Sequence, residues 1–198
     1  MNQEKSQEEN KKEGIWSSIV WGMITLTIFM LIKIFLVQPY VIPSASMENT
    51  LNIGDMAVVN KLDTRPEKGD VIVFEGNHHW NHDGDEKAIF IKRVIGVPGD
   101  TVGGCSSDGK LIINGSPMQE NYLKNQEHVG CKFPQTTLGK DEYWVMGDNR
   151  SNSADSRAHS TIDGQWDSHK GAISQKQIKG TMFWHYETLF NKGFLLIF

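Results

Sequence analysis

One stretch limits this chain more than any other: residues 15–37 form a 23-residue run whose single charge is Lys33. About 20 helical residues cross the hydrocarbon core of a bilayer, so the run is long enough to span one with some tilt. Lys33 lies near its far end, where an aliphatic stem can carry the ammonium to an interface. A secretory h-region needs only about 7–15 apolar residues, which makes this run a permanent anchor rather than a cleaved leader. The expected division is a tail over 1–14, a membrane helix over 15–37 and a folded domain over 38–198. Lys5, Lys11 and Lys12 favour a cytoplasmic N-terminus, which puts the folded domain outside the cytoplasmic membrane.

The rest of the chain is built from short β-like runs at 56–62, 70–75, 88–97, 110–114, 143–146 and 181–186. Turn signals such as Val97-Pro98-Gly99-Asp100 and Asn114-Gly115 stand between them. The expected fold is mainly β: a single N-terminal transmembrane helix followed by an antiparallel β-sheet domain. Residues 76–86 and 160–171 read as exposed polar loops, and 174–179 as a short turn of helix. With 38% apolar residues and a net charge of −4, the 198-residue chain has enough apolar material for a core and no basic face for nucleic acid. His78, His79, His82 and Asp83 cluster in the first loop without a metal-ligand spacing, so they read as a solvated tip. Cys105 and Cys131 fall on the outer side, either as a disulfide or as free thiols. The closing run 194–198 is too short to cross a membrane, so it packs on the domain or dips into the interface.

Ser46 stands nine residues beyond Val37, in Pro43-Ser44-Ala45-Ser46-Met47. A serine hydroxyl becomes a nucleophile only with a base in hydrogen-bond reach: histidine in most hydrolases, a neutral lysine in some. Of the seven histidines, His78, His79, His82 and His169 lie in the two loops, and His128, His159 and His185 have no pattern pairing them with an acid. Lys92 is different, because it interrupts the apolar strand 88–97. Alternation puts Phe90, Lys92 and Val94 on one face, and burial of that face would lower the lysine pKa as a general base requires. The alternative is a stem lying on the sheet with its amine in water. Downstream of the strand ending at Met146, Gly147-Asp148-Asn149-Arg150 leads into Ser153, Asp155 and Arg157. If 153–157 is extended, these three project to one side and Asp155 pairs with Arg157.

Taken in order, these stretches, with Thr50-Leu51, Gly69-Asp70-Val71-Ile72-Val73-Phe74 and Lys92-Arg93-Val94-Ile95-Gly96-Val97-Pro98-Gly99-Asp100, resemble the bacterial type I signal peptidase family. Its members are membrane-bound Ser-Lys endopeptidases that remove signal peptides from exported proteins. The resemblance covers nearly the whole chain. It implies Ser46 as nucleophile and Lys92 as general base, with Ser44 and the Ser46 amide as the oxyanion hole and Ser153 orienting the lysine. It further implies Asp155, Arg157, Arg93 and Asp148 as supports, and Ile42, Met47, Phe90 and Ile91 as the lining that accepts small substrate side chains. It calls for no cofactor and no metal. The implied partners are signal peptides of preproteins and the lipid bilayer, with the chain acting as a monomer.

The sequence departs from the family pattern at Glu48-Asn49, where a residue followed by proline is common. Ser151 stands where an acid is frequent and Ser160 where glycine is common. The alternative reading is a catalytically silent, membrane-anchored binding or assembly module on the same scaffold. A Ser-x-x-Lys acylase is excluded, because Asn49 stands three residues after Ser46.

Overall fold

The structure, a computed structural model, describes residues 2–80, 88–126, 130–162 and 165–187. His82, Asp83, His128, the closing run 194–198 and the side chains of Lys5, Lys11, Lys12 and Lys33 lie outside the described residues. The chain falls into two compact units, Met1–Gln38 and Pro39–Phe198.

The first unit is one helix, α1 (Asn2–Leu36). Within it Gly14–Ile32 has a mean hydropathy of 2.0 and none of its surface buried, so it is long and apolar enough to cross a membrane. Nineteen residues at 1.5 Å each give about 28 Å, close to the hydrocarbon thickness. Its hydroxyls do not stay unpaired: Ser18, Thr25 and Thr27 each donate to the carbonyl four residues earlier at 2.8–2.9 Å. The helix stops at Leu36 and the chain turns extended, one residue short of the expected end. Pro39 explains the stop, since the residue before a proline is pushed out of the helical region.

The second unit is mainly antiparallel β. Its strands are β1 (Val37–Val41), β2 (Met56–Asn60), β3 (Val71–Glu75), β4 (Ile89–Gly96), β5 (Thr101–Cys105), β6 (Leu111–Ile113), β7 (Ser116–Pro117), β8 (Thr136–Thr137), β9 (Glu142–Met146), β10 (Thr161–Ile162), β11 (Gln165–Trp166), β12 (Ile173–Ser174) and β13 (Ile178–Tyr186). Two short helices, α2 (Ser156–His159) and α3 (Ser168–Gly171), lie between β9 and β12. Among the described residues a seven-stranded sheet runs β1-β2-β13-β3-β4-β9-β12, a four-stranded sheet runs β7-β6-β5-β8, and β10 pairs with β11.

All six expected runs are strands. Of the others, β1 begins inside the run expected as membrane helix, β5 carries Gly103-Gly104, which reads as a breaker, and the two-residue strands are too short to show a period. Gln175–Gln177 forms a 3-10 turn with a capping box from Ser174, where a helical turn was expected.

The described residues of both expected loops are more structured than their polarity suggested. Residues 160–171 hold β10, β11 and α3, with Ser160 fully buried. Its hydroxyl donates to the Ser156 carbonyl at 2.7 Å, so burial leaves no polar group unpaired. Gly171 permits the close approach of α3, since a Cβ there would stand 2.0 Å from Ser160 Oγ. In the other loop Trp80 is buried, edge-on to Phe74 and stacked on His159 at 4.2 Å. The cysteines are joined: Cys105 and Cys131 form a disulfide with Cα atoms 5.3 Å apart.

Candidate active site

Ser46 sits in a 3-10 turn, Ala45–Met47, preceded by Ser44 in an extended conformation. Pro43 keeps Ile42 extended as well. Ile42 exchanges backbone bonds of 2.9 Å with Asp55 and Gly54, and the Leu51 amide closes onto the Met47 carbonyl at 2.8 Å. Ile42, Met47 and Leu51 are buried in one apolar cluster with Val71, Val73 and Ile91. The nucleophile candidate is thus held between two buried apolar anchors, and is itself only 6% exposed.

The antiparallel pairing of β4 with β9 sets Arg93 opposite Met146. The turn that leaves β9 at Gly147 is therefore delivered beside Lys92. Both faces of β4 are covered, so Lys92 is 4% exposed and the reading with its amine in water does not apply. Its Nζ donates to Ser46 Oγ at 2.8 Å and to the Ile91 carbonyl at 3.0 Å. Burial lowers the amine pKa from 10.5 to about 8, against the opposing pull of the Asp155 and Asp148 carboxylates. Desolvation of the charged form outweighs two carboxylates because neither makes direct contact with the amine.

The Gly147 turn grips the nucleophile from the other side. The Asn149 amide donates to the Ser46 carbonyl at 3.1 Å, and Asn149 Nδ2 to the Ala45 carbonyl at 3.0 Å. Gly147 is needed for this approach, since a Cβ there would lie 2.4 Å from the Ser46 carbonyl oxygen and 2.3 Å from Ser153 Oγ. The Gly147 amide in turn donates to Asp155 Oδ2 at 3.1 Å.

The remaining expected residues divide into those brought together and those not. Asp155 pairs with Arg157 through Nε at 2.8 Å and Nη2 at 2.7 Å. They meet differently from the expectation: the backbone is extended only as far as Asp155, which then caps α2, so the first helical turn brings Arg157 back onto it. Arg93 and Asp148 form a two-pronged pair at 2.8 and 2.6 Å, with Asp148 fully buried and accepting a further bond from Thr50 Oγ1. Ser44 is exposed, its hydroxyl 3.4 Å from Ser46 Oγ. Ser153 Oγ is buried beside Gly147 with no hydrogen-bond partner among the described residues. Ile42, Met47 and Ile91 share one cluster, whereas Phe90 packs in another, stacked on Phe74 at 5.6 Å.

Sequence reasoning missed Thr50, Glu120, Tyr122 and Asn149 as parts of this network. Thr50 and Asn149 stand inside the quoted motifs, so their position was a usable signal. Glu120 and Tyr122 carried none, because they lie outside every motif and run singled out in the sequence.

With this geometry in place, comparison with known proteins adds the family. A family model described as signal peptidase, peptidase S26, matches residues 15–187. The chain is 35% identical over 193 residues to a signal peptidase I of Bacillus licheniformis, covering 91% of this chain and 92% of that one. It is 34% identical over 194 residues to a probable signal peptidase I of Mycobacterium leprae, covering 77% and 66% of the two chains. A signal peptidase I of Mycobacterium tuberculosis matches at 36% over 191 residues, covering 75% and 64%. The chain thus spans about two thirds of the length of these mycobacterial relatives. A match over most of the chain, and a relative aligned nearly end to end, establish that this chain belongs to the signal peptidase family, peptidase S26.

Proposed function

We propose that this chain is a membrane-anchored serine endopeptidase that removes N-terminal signal peptides from exported preproteins, with Ser46 as nucleophile and Lys92 as general base. The single observation that carries the reading is the 2.8 Å contact between Lys92 Nζ and Ser46 Oγ in a site where the amine is 4% exposed. With the amine neutral and the serine proton turned onto its lone pair, that contact is the geometry of proton transfer.

The steps follow from the residues. Lys92 takes the Ser46 proton as Oγ attacks the scissile carbonyl carbon, and the carbonyl oxygen becomes an oxyanion held by the Ser44 hydroxyl and the Ser46 amide. The protonated Lys92 then gives its proton to the departing amine, leaving an acyl ester on Ser46. A water, deprotonated by Lys92, cleaves that ester and restores both groups. Ser153, whose buried hydroxyl lies against Gly147, orients the amine once the Ile91 carbonyl contact is given up. Asp155 holds Gly147 by its amide, and Arg93 with Asp148 fixes the turn that follows. Ile42, Met47, Phe90 and Ile91 line the subsites for small side chains, with substrate backbone added as a strand.

Residues 1–14 form the cytoplasmic tail, the apolar stretch from residue 15 to the helix end at Leu36 crosses the membrane, and the chain beyond it is the catalytic domain on the outer side, acting as a monomer. A signal peptide is cut just past its apolar core, and Ser46 follows Val37 by nine residues, which suits a nucleophile kept close to the emerging bond. The test is cleavage of a preprotein by the detergent-solubilised chain beside Ser46→Ala and Lys92→Ala. Both variants lose measurable cleavage; equal rates in all three eliminate the dyad.

A further inference from the structure

The turn that carries Ser46 is secured on its N-terminal side by Ile42 and Asn149, but its C-terminal side leaves the 3-10 turn differently. Asn49 adopts φ 89°, a left-handed conformation that asparagine tolerates better than most residues with a side chain. Proline, common in the family at this position, is barred from that conformation by its ring.

The side chains of Glu48 and Asn49 are held by the stretch 120–124. Lys124 Nζ pairs with Glu48 Oε2 at 2.5 Å, and Asn49 Nδ2 donates to the Tyr122 carbonyl at 3.2 Å. The same stretch is fastened to the other side of the site. The Lys124 amide donates to the Asp148 carbonyl at 3.1 Å, and the Arg93 guanidinium lies over the Tyr122 ring at 4.1 Å. Tyr122 donates its hydroxyl to Glu120 at 2.9 Å, and Glu120 forms a fully buried ion pair with Arg150. Leu123 is buried between these polar contacts.

We propose that the stretch 120–124 is a strap that sets the position of Ser46, acting through the Lys124–Glu48 pair, so that Lys124 and Glu48 are positioning residues for the proposed peptidase reaction. The inference rests on that functional reading. The pair is partly exposed, 37% for Lys124 and 26% for Glu48, so it adds little to overall stability. Its effect is local, because it fixes the residue two places after the nucleophile to a scaffold that also carries Asp148 and Arg150.

The experiment measures kcat and KM for preprotein cleavage by the detergent-solubilised full chain, with melting temperature alongside. The variants are Lys124→Met, Glu48→Gln, Lys124→Arg and the reversed pair Glu48→Lys with Lys124→Glu. Lys124→Met and Glu48→Gln each lower kcat by about tenfold, less than the ~100-fold that a 1 Å misplacement can cost, with KM and melting temperature little changed. Lys124→Arg and the reversed pair recover most of the rate. Unchanged kcat in both single variants overturns the strap, as does a raised KM with intact kcat, which marks a substrate contact instead. A reversed pair as slow as the single variants also overturns it. Absence of cleavage by the wild type overturns the peptidase reading itself, and the strap with it.

Discussion

Replacing Lys92 by methionine should abolish cleavage and, at neutral pH, make the folded chain more stable. The amine titrates at about 8 in the folded state against 10.5 when free, because burial penalises its charge. That difference corresponds to about 3 kcal/mol of destabilisation wherever both states are protonated. Methionine keeps the unbranched stem and removes the charge. It also removes hydrogen bonds to Ser46 Oγ and the Ile91 carbonyl, of which about 1 kcal/mol net is lost, leaving the variant ahead by about 2 kcal/mol at pH 7. The folded state binds this proton more weakly than the unfolded one, so wild-type stability rises with pH between about 8 and 10.5. The advantage of the variant is complete below that window and gone above it. Urea unfolding of both proteins in detergent at pH 7 and pH 10, followed by tryptophan fluorescence, reads the difference directly. A variant less stable than wild type at pH 7, or a difference independent of pH, would refute the burial argument. The same titration sets the rate: kcat/KM of the wild type falls about tenfold per pH unit below about 8 and levels off above it.

Gly147→Ala forces a Cβ to within 2.4 Å of the Ser46 carbonyl oxygen, and should cut kcat by about 100-fold in the cleavage assay while the β domain stays folded by circular dichroism. Arg93→Met strands a fully buried Asp148 carboxylate and should cost about 3–5 kcal/mol in urea unfolding, much of it recovered by adding Asp148→Leu. Reduction of Cys105–Cys131, which closes a loop across 26 positions, should cost about 3.5 kcal/mol in the chain-entropy model. Coincident melts with and without reductant would count against that bridge.

Much of the scaffold could be read from local pattern. The six expected strands show alternation or apolar runs between turn residues, and the neighbours of each residue along the chain are enough to register that. Strand β5 and the two-residue strands could not be read this way, because Gly103-Gly104 reads as a breaker and two residues show no period, so only the strand each pairs with makes them strands. Ser160 illustrates the point: its burial is tolerable only because the Ser156 carbonyl and Gly171 are there to receive it. In the site, Ser46, Lys92 and the Gly147 turn stood out as motifs, while Tyr122 and Lys124 were invisible.

What the sequence alone determined is the apolar run at 15–37, the order of serine before lysine and the strand pattern, since each depends on residue types and spacing within a few positions. Only the tertiary structure decided that Lys92 is buried, that its amine meets a hydroxyl 46 positions away, and that Lys124 reaches Glu48 across 76. The reason is electrostatic and geometric: a lysine's hold on its proton weakens only when distant parts of the chain exclude water from the face its side chain occupies. That exclusion comes from the Ala45–Met47 turn packed against β4 and the Gly147 turn delivered beside it, which no property of 88–97 by itself specifies.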